Sequence, residues 1–314
     1  MFFDAASMLY RAFTLPNHAA SVPREYVGIA EKVAQKVGWN VNFTPIDIPG
    51  RVAQVPKNNK VMVGLSGGLD SVYLMHRLIE QGYDVTAVHI AGLNREYAKH
   101  EEKAAAAAAK RAGARFMKFT VFPPKQAFPD NPWKNQLILS IMLENGAKIG
   151  IYRYAVGSDW TTPLSEAVVG FTITDSVEVY REYWNGVQQR FPQAELVFIP
   201  DNVKKYDRLS YLFDRGALED ISSCVAPHRF RQSLHEKNEA KYGIHLLPGR
   251  CGSCYKCAME YILLVEAGRI EKDSAFYEHS WNTLATSKTA HRPDLFAKSL
   301  PFERRLKNLL EYGS

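Results

Sequence analysis

Two short stretches of this sequence hold residue types that do chemistry. The first is Ser66-Gly67-Gly68-Leu69-Asp70-Ser71, entered from the apolar run Val61-Met62-Val63-Gly64-Leu65 and left through a helical pattern. A buried strand running into a glycine-rich turn and then a helix aims backbone N–H groups and a helix N-terminus at one point, where anionic oxygens are stabilised. The glycines let the backbone approach a ligand where a Cβ would intrude. Ser66 and Ser71 add hydroxyl donors, and Asp70 can orient the loop or help hold a metal ion. No Gly-Lys-Ser/Thr follows and the spacing is not Gly-x-Gly-x-x-Gly, so neither a Walker A loop nor the dinucleotide fingerprint applies. The bland alternative is an ordinary strand-to-helix turn of small residues.

The second stretch is Cys251-Gly252-Ser253-Cys254-Tyr255-Lys256-Cys257, with Cys224 upstream, and it accounts for all four cysteines of the chain. Cys-x-x-Cys spacing lets two thiolates reach one ion at about 2.3 Å, and four thiolates suit Zn2+ with no open position, as in a structural staple. An iron–sulfur cluster uses thiols at similar gaps, and a redox pair or inert buried thiols are further readings.

The elements that must position these groups follow from periodicity. From residue 60 the pattern alternates strands and helices: strand 61–65, helix 72–81 ended by Gly82, strand 84–90, helix 97–112 closed by Gly113, and strand 115–121. After a proline-rich loop come helix 135–145 and strand 152–156, which delivers Gly157-Ser158-Asp159 to the carboxyl edge of the sheet. A helix over 172–191 and a strand over 196–199 complete the pattern. This predicts an α/β fold, a Rossmann-like parallel sheet with helices on both faces, whose ligands sit at the carboxyl edge. Asp159 is a site candidate there, with helix capping as its other reading.

Residues 1–56, with a helix over 26–37 and a strand over 39–43, read as an N-terminal cap, 57–200 as the nucleotide-binding domain, 201–265 as a small zinc-binding subdomain and 266–314 as a helical tail. The 314 residues carry a formal charge of +6 and 46% hydrophobic side chains, an ordinary globular balance with mild preference for an anionic partner. The scattered basic residues read as a solvated face rather than a nucleic-acid track. No apolar run approaches the roughly 18 residues of a membrane span and no basic n-region precedes an apolar stretch, so a cytoplasmic protein without a signal peptide is expected.

Ser-Gly-Gly-Leu-Asp-Ser resembles the PP-loop of ATP pyrophosphatases. With Pro132-Trp133-Lys134-Asn135-Gln136-Leu137-Ile138-Leu139-Ser140, Gly157-Ser158-Asp159 and the cysteine set in that order, residues 60–262 resemble the 7-cyano-7-deazaguanine synthase family. The resemblance implies an ATP-dependent ligase that adenylates the carboxylate of a 7-deazapurine and lets ammonia form an amide or nitrile. It implies ATP phosphates and Mg2+ at Ser66, Gly67, Gly68, Asp70, Ser71, Asn135, Gly157 and Asp159, with Asp70, Ser71 and Lys134 in catalysis. Phe171 and Asp175 would border the base pocket, and Cys224, Cys251, Cys254 and Cys257 would hold Zn2+. A homodimer is compatible with this reading. Rival readings are a PP-loop enzyme that thiolates a tRNA base, a nucleotide-binding module without turnover, and a relative that attaches the deazapurine to a protein.

Overall fold

The computed structural model describes residues 2–13, 18–50, 52–92, 98–121, 133–157, 164–165, 176–200, 203–222, 224, 226 and 228–286. Contacts divide the chain into one unit of residues 1–65, 74–98 and 109–200 and another of 66–73, 99–108 and 201–314.

The first unit begins with α1 (Phe2–Ala12), β1 (His18–Pro23), α2 (Val27–Val37) and β2 (Val41–Ile46). β1 and β2 pair in parallel, His18 opposite Val41 and Pro23 opposite Ile46, with α2 as the crossover between them. α2 stops at Gly38, whose φ of 73° only glycine adopts freely and whose N–H caps the Ala34 and Gln35 carbonyls.

The main sheet has β3 (Lys60–Gly64), β4 (Asp84–Ala91), β5 (Arg115–Thr120), β6 (Arg153–Val156) and β7 (Glu195–Val197), all parallel, in the order β5-β4-β3-β6-β7. Val61, Met62 and Val63 are all fully buried. Successive strand residues point to opposite faces, so both faces of β3 are covered, which is why the run reads as continuous apolar rather than alternating. The chain steps from β3 outward to β4 and β5, then returns past β3 for β6 and β7. The ends of β3 and β6 therefore form the point where strand order reverses, the place where open α/β sheets bind ligands.

The intervening helices are α3 (Leu69–Glu80), α4 (Ala98–Ala112), α5 (Lys134–Lys148) and α6 (Val177–Arg190). α5 packs on β3 and β6, and α1 packs on α5. Residues 1–56 thus share a core with the sheet domain. Phe13 lies 6.1 Å from Trp39, 5.9 Å from Phe43 and 6.0 Å from Trp133, ring centre to ring centre. Tyr26 stacks on Tyr183 of α6 at 5.5 Å, and Arg190 of α6 forms an ion pair with Glu25.

The second unit contributes α7 (Lys205–Phe213), α8 (His228–Tyr242), α9 (Tyr255–Glu266) and α10 (Ser274–Ala285). Sequence periodicity assigned no helix within residues 201–260, and the structure has α7, α8 and the first half of α9 there. α8 is polar almost all round, so it carries no helical apolar stripe to recognise. α9 starts at Tyr255 with Cys254 as its N-cap, directly after the Cys251–Cys254 pair. α6 begins at Val177, later than expected, and residues 172–175 lie outside the described residues. Among the described residues no helix is long and apolar enough to cross a membrane.

The contact of residues 1–56 with α6 is testable at Gly186, where an added Cβ would lie 2.6 Å from the buried Tyr26 ring. Gly186→Ala is expected to lower the stability of the protein by about 1–3 kcal/mol, the usual cost of overpacking, measured by urea denaturation. An unchanged midpoint would overturn this packing.

Candidate active site and metal centre

The loop between β3 and α3 is held by its own hydroxyls. Ser71 Oγ accepts from the Ser66 N–H at 3.3 Å, lies 3.1 Å from Ser66 Oγ and donates to the Gly68 carbonyl at 3.1 Å. Gly68 N–H donates to Ser66 Oγ at 3.2 Å. The two serines therefore set the turn's shape, a role beyond the donor function expected of them. Gly67 is required sterically: its φ is 80°, and a Cβ there would sit 3.0 Å from Ala104 Cβ and 3.1 Å from the Ala105 nitrogen and the Glu101 carbonyl. Its own carbonyl accepts from the Ser222 N–H at 2.7 Å. α3 opens at Leu69, so the unsatisfied N–H groups of its first turn begin at the loop.

Asp70 points to two cations that sequence reasoning missed. Arg208 Nη1 donates to Asp70 Oδ1 at 2.6 Å, and Lys205 Nζ to Oδ2 at 3.4 Å. Arg208 is 3% exposed, and its Nη2 also donates to the Val203 carbonyl at 2.7 Å. Burial raises the Asp70 pKa, but the charges of Lys205 and then Arg208, with their hydrogen bonds, outweigh it and hold the carboxyl below its ordinary 3.8. Asp70 is thus ionised and committed to two cations. Two cations beside the loop are the kind of group a phosphate cradle uses. The signal in the sequence was Lys205 and Arg208 at i and i+3 on one helix face, 135 and 138 residues beyond Asp70.

Lys134 and Asn135 open α5, following Trp133 at its N-cap. Gly157 follows Val156, which pairs with Gly64, so it stands at the same sheet edge as the start of the loop. Asp159, Phe171 and Asp175 lie outside the described residues. The structure therefore gathers Ser66, Gly67, Gly68, Asp70 and Ser71 in one loop and aligns Gly157 with its entry.

Cys224, Cys251, Cys254 and Cys257 come together with all four Sγ atoms within 4.8 Å of one another. The Cys251–Cys257 and Cys254–Cys224 pairs are at 3.9 Å and Cys254–Cys257 at 3.4 Å. Thiolates at about 2.3 Å from one tetrahedral ion stand about 3.8 Å apart, so the set fits a single ion. Hydrogen bonds from the neighbouring thiols hold Cys254 well below the usual thiol range, that of Cys251 brings Cys224 to about 7, and the same bonds push Cys251 and Cys257 up. A bound cation would deprotonate all four. Next to them, buried Arg250 pairs with buried Glu260 at 2.8 Å and donates to the Ile221, Leu218 and Pro248 carbonyls.

Residues 59–139 match the family model described as the tRNA methyl transferase HUP domain. Among solved structures, the U34-tRNA thiolase NcsA from Methanococcus maripaludis with its 4Fe-4S cluster aligns over 77% of this chain and 78% of its own, at 16% identity and a TM-score of 0.41. No curated protein matches the sequence. The chain carries a PP-loop ATP domain of α/β, Rossmann-like fold and a metal-binding subdomain with four cysteines. The resemblance to 7-cyano-7-deazaguanine synthase, and the deazapurine ligase it implied, are corrected by the family match, which falls on a tRNA methyl transferase HUP domain over the Ser66–Ser71 loop. The physical reason is that a glycine-rich phosphate loop is suited to ATP phosphates and a four-thiol set to a metal. Neither touches the acceptor.

Two substitutions test the loop. Gly67→Ala is expected to lower stability by about 1–3 kcal/mol and to weaken ATP binding at least about tenfold, measured by denaturation and calorimetry. Asp70→Asn leaves Arg208 buried against a neutral partner and is expected to cost on the order of 3 kcal/mol at neutral pH. Because the folded-state pKa of Asp70 is depressed, its contribution is present above the unfolded value and is lost as pH falls through the folded one. The stability gap between wild type and D70N should therefore close in acid; a gap that is constant with pH would overturn the ion pair.

Proposed function

We propose that this protein is an ATP-dependent enzyme that modifies a base of tRNA, activating a ring carbonyl by adenylation for replacement by sulfur. The observation that carries this reading is the Ser-Gly-Gly-Leu-Asp-Ser loop with Lys205 and Arg208 around Asp70, set in a segment that matches a tRNA-acting domain family. Methylation, which that family's description names, needs no phosphate cradle. A loop built for phosphates favours adenylation instead.

In the chemistry proposed, the base carbonyl oxygen attacks the α-phosphorus of ATP and pyrophosphate leaves. A sulfide equivalent then adds to the activated carbon, the C–O bond breaks, and AMP departs with the oxygen. Oxygen is a poor leaving group until it is phosphorylated, which is what ATP supplies. The α3 N-terminus and the Lys205 and Arg208 charges stabilise the negative charge that gathers on the departing pyrophosphate. Asp70 holds both cations in position, and the Ser66–Ser71 bonds keep the loop formed before ATP arrives. Since Asp70 is committed to cations, Mg2+ would enter on the ATP phosphates and keep most of its waters. A tRNA substrate places the reaction in the cytoplasm.

All four cysteines lie in one cluster, so no other thiol of the chain can carry a persulfide. We assign sulfur delivery to a donor outside the chain. The thiol spacing supports a single Zn2+ as a structural staple, because a four-iron cluster puts a cage of iron and sulfide between its thiolates and holds them farther apart than one ion does.

Purified protein incubated with ATP, a sulfide donor and tRNA should release pyrophosphate only when tRNA is present, and digested tRNA should contain a nucleoside heavier by the exchange of oxygen for sulfur. Turnover indifferent to tRNA, or no modified nucleoside, would overturn the proposal. Absence of pyrophosphate under all conditions would favour a binding module. Elemental analysis is expected to give about one zinc per chain; iron with acid-labile sulfide would overturn the staple.

A further inference from the structure

A cavity of about 290 Å³ in the second unit is lined by Lys103 of α4, Glu219, Ser222, Arg231 and His235 of α8, and Arg250. Its charge is unbalanced where it is most buried. Arg231 is 7% exposed, and its Nη2 donates to the Cys224 and Ala226 carbonyls at 3.1 and 3.3 Å. Its Nε is buried with no hydrogen-bond partner. Among the described residues no carboxylate pairs with it, whereas Arg250 is neutralised by Glu260. Arg231 thus keeps an unused N–H donor in the wall of the cavity, and a buried donor without an acceptor is costly. His235 does not supply the missing charge: its Nδ1 meets the Arg250 carbonyl at 2.6 Å and its Nε2 faces Glu239 at 3.4 Å.

We infer that this cavity is an anion site for a phosphate group, with Arg231 as its buried anchor and Lys103 as its exposed second cation. The planar guanidinium fork suits phosphate oxygens, and Lys103 adds a mobile point charge at the rim. The site also touches the nucleotide loop: Ser222, in its wall, donates to the Gly67 carbonyl, and Ala104, beside Lys103, is the side chain closest to a Cβ at Gly67. Phe230, next to Arg231, is 47% exposed and offers a ring on which a base can stack. Resting on the tRNA reading above, the phosphate belongs to the RNA backbone; a free phosphate would satisfy the same groups.

The test uses the full chain with its nucleotide loop saturated by a non-hydrolysable ATP analogue, titrated with inorganic phosphate and followed by phosphorus NMR. Wild type should bind phosphate. Lys103→Glu and Arg231→Gln should weaken binding about tenfold or more, and Glu219→Gln should strengthen it a few-fold, since it removes the one carboxylate in the wall. Lys103 and Glu219 are exposed, so K103E and E219Q keep the test sound if R231Q fails to fold. No phosphate binding by wild type, or equal binding by K103E, overturns the site. In a second arm, tRNA binding by K103E should be about tenfold weaker with a shallower salt dependence. Phosphate binding that falls while tRNA binding holds would overturn RNA as the occupant and leave the anion site standing. A wild type that binds phosphate but no tRNA would overturn the tRNA reading instead.

Discussion

The ion pair between Asp70 and Arg208 is the constraint on which the candidate site depends. Arg208 is almost fully buried, and a guanidinium out of water is tolerated only when a carboxylate and carbonyls replace its hydration. Asp70 supplies the carboxylate, and it does so from the first turn of the helix that follows the glycine loop. The loop therefore cannot move away without stranding a buried charge. Lys205, one turn earlier on α7, shares the same carboxylate.

A second buried pair does for the thiols what Asp70 and Arg208 do for the loop. Arg250 and Glu260 are 3% and 2% exposed, and the guanidinium reaches back to the carbonyls of Leu218 and Ile221. This ties the segment leading to Cys224 to the segment that carries the other three cysteines. Asn238 adds a bond to the Cys251 carbonyl at 2.7 Å. The four sulfurs are thus brought to the spacing of one ion by packing and hydrogen bonds.

The parts of this arrangement that were legible in the sequence are those carried by neighbouring residues. Val61 to Val63 announce a strand covered on both faces, Gly67 a backbone that must take a positive φ, and the Cys251-x-x-Cys254-x-x-Cys257 spacing a metal knuckle. The counter-ions of Asp70 were not legible, because Lys205 and Arg208 lie far along the chain in a stretch that looks like many polar helices. Nor was the ring contact between Phe13 and Trp133 across the N-terminal core, since an aromatic ring gives no sign of which distant ring it will face. α8 escaped notice for a different reason: its helix is held without an apolar stripe, so periodicity had nothing to detect.

The same division explains why the motifs pointed to the wrong acceptor. A loop that binds phosphates is constrained by ATP, which is identical in every enzyme that adenylates, and a four-thiol knuckle is constrained by its metal. Both can be kept while the acceptor changes completely. Specificity for a base, free or within RNA, must come from groups outside these motifs, where pocket shape and charge are set by single residues rather than by spacing patterns. In the second unit, the cavity beside the loop is such a place. Lys103 and Arg231 in its wall are drawn from α4 and α8, elements with no motif of their own, and it adjoins a backbone contact, Ser222 to Gly67, between the thiol segment and the glycine loop. An acceptor that carries phosphates of its own would be held there by charge, while the loop holds ATP. A free base, with no phosphate to offer, would leave Arg231 without a counter-charge.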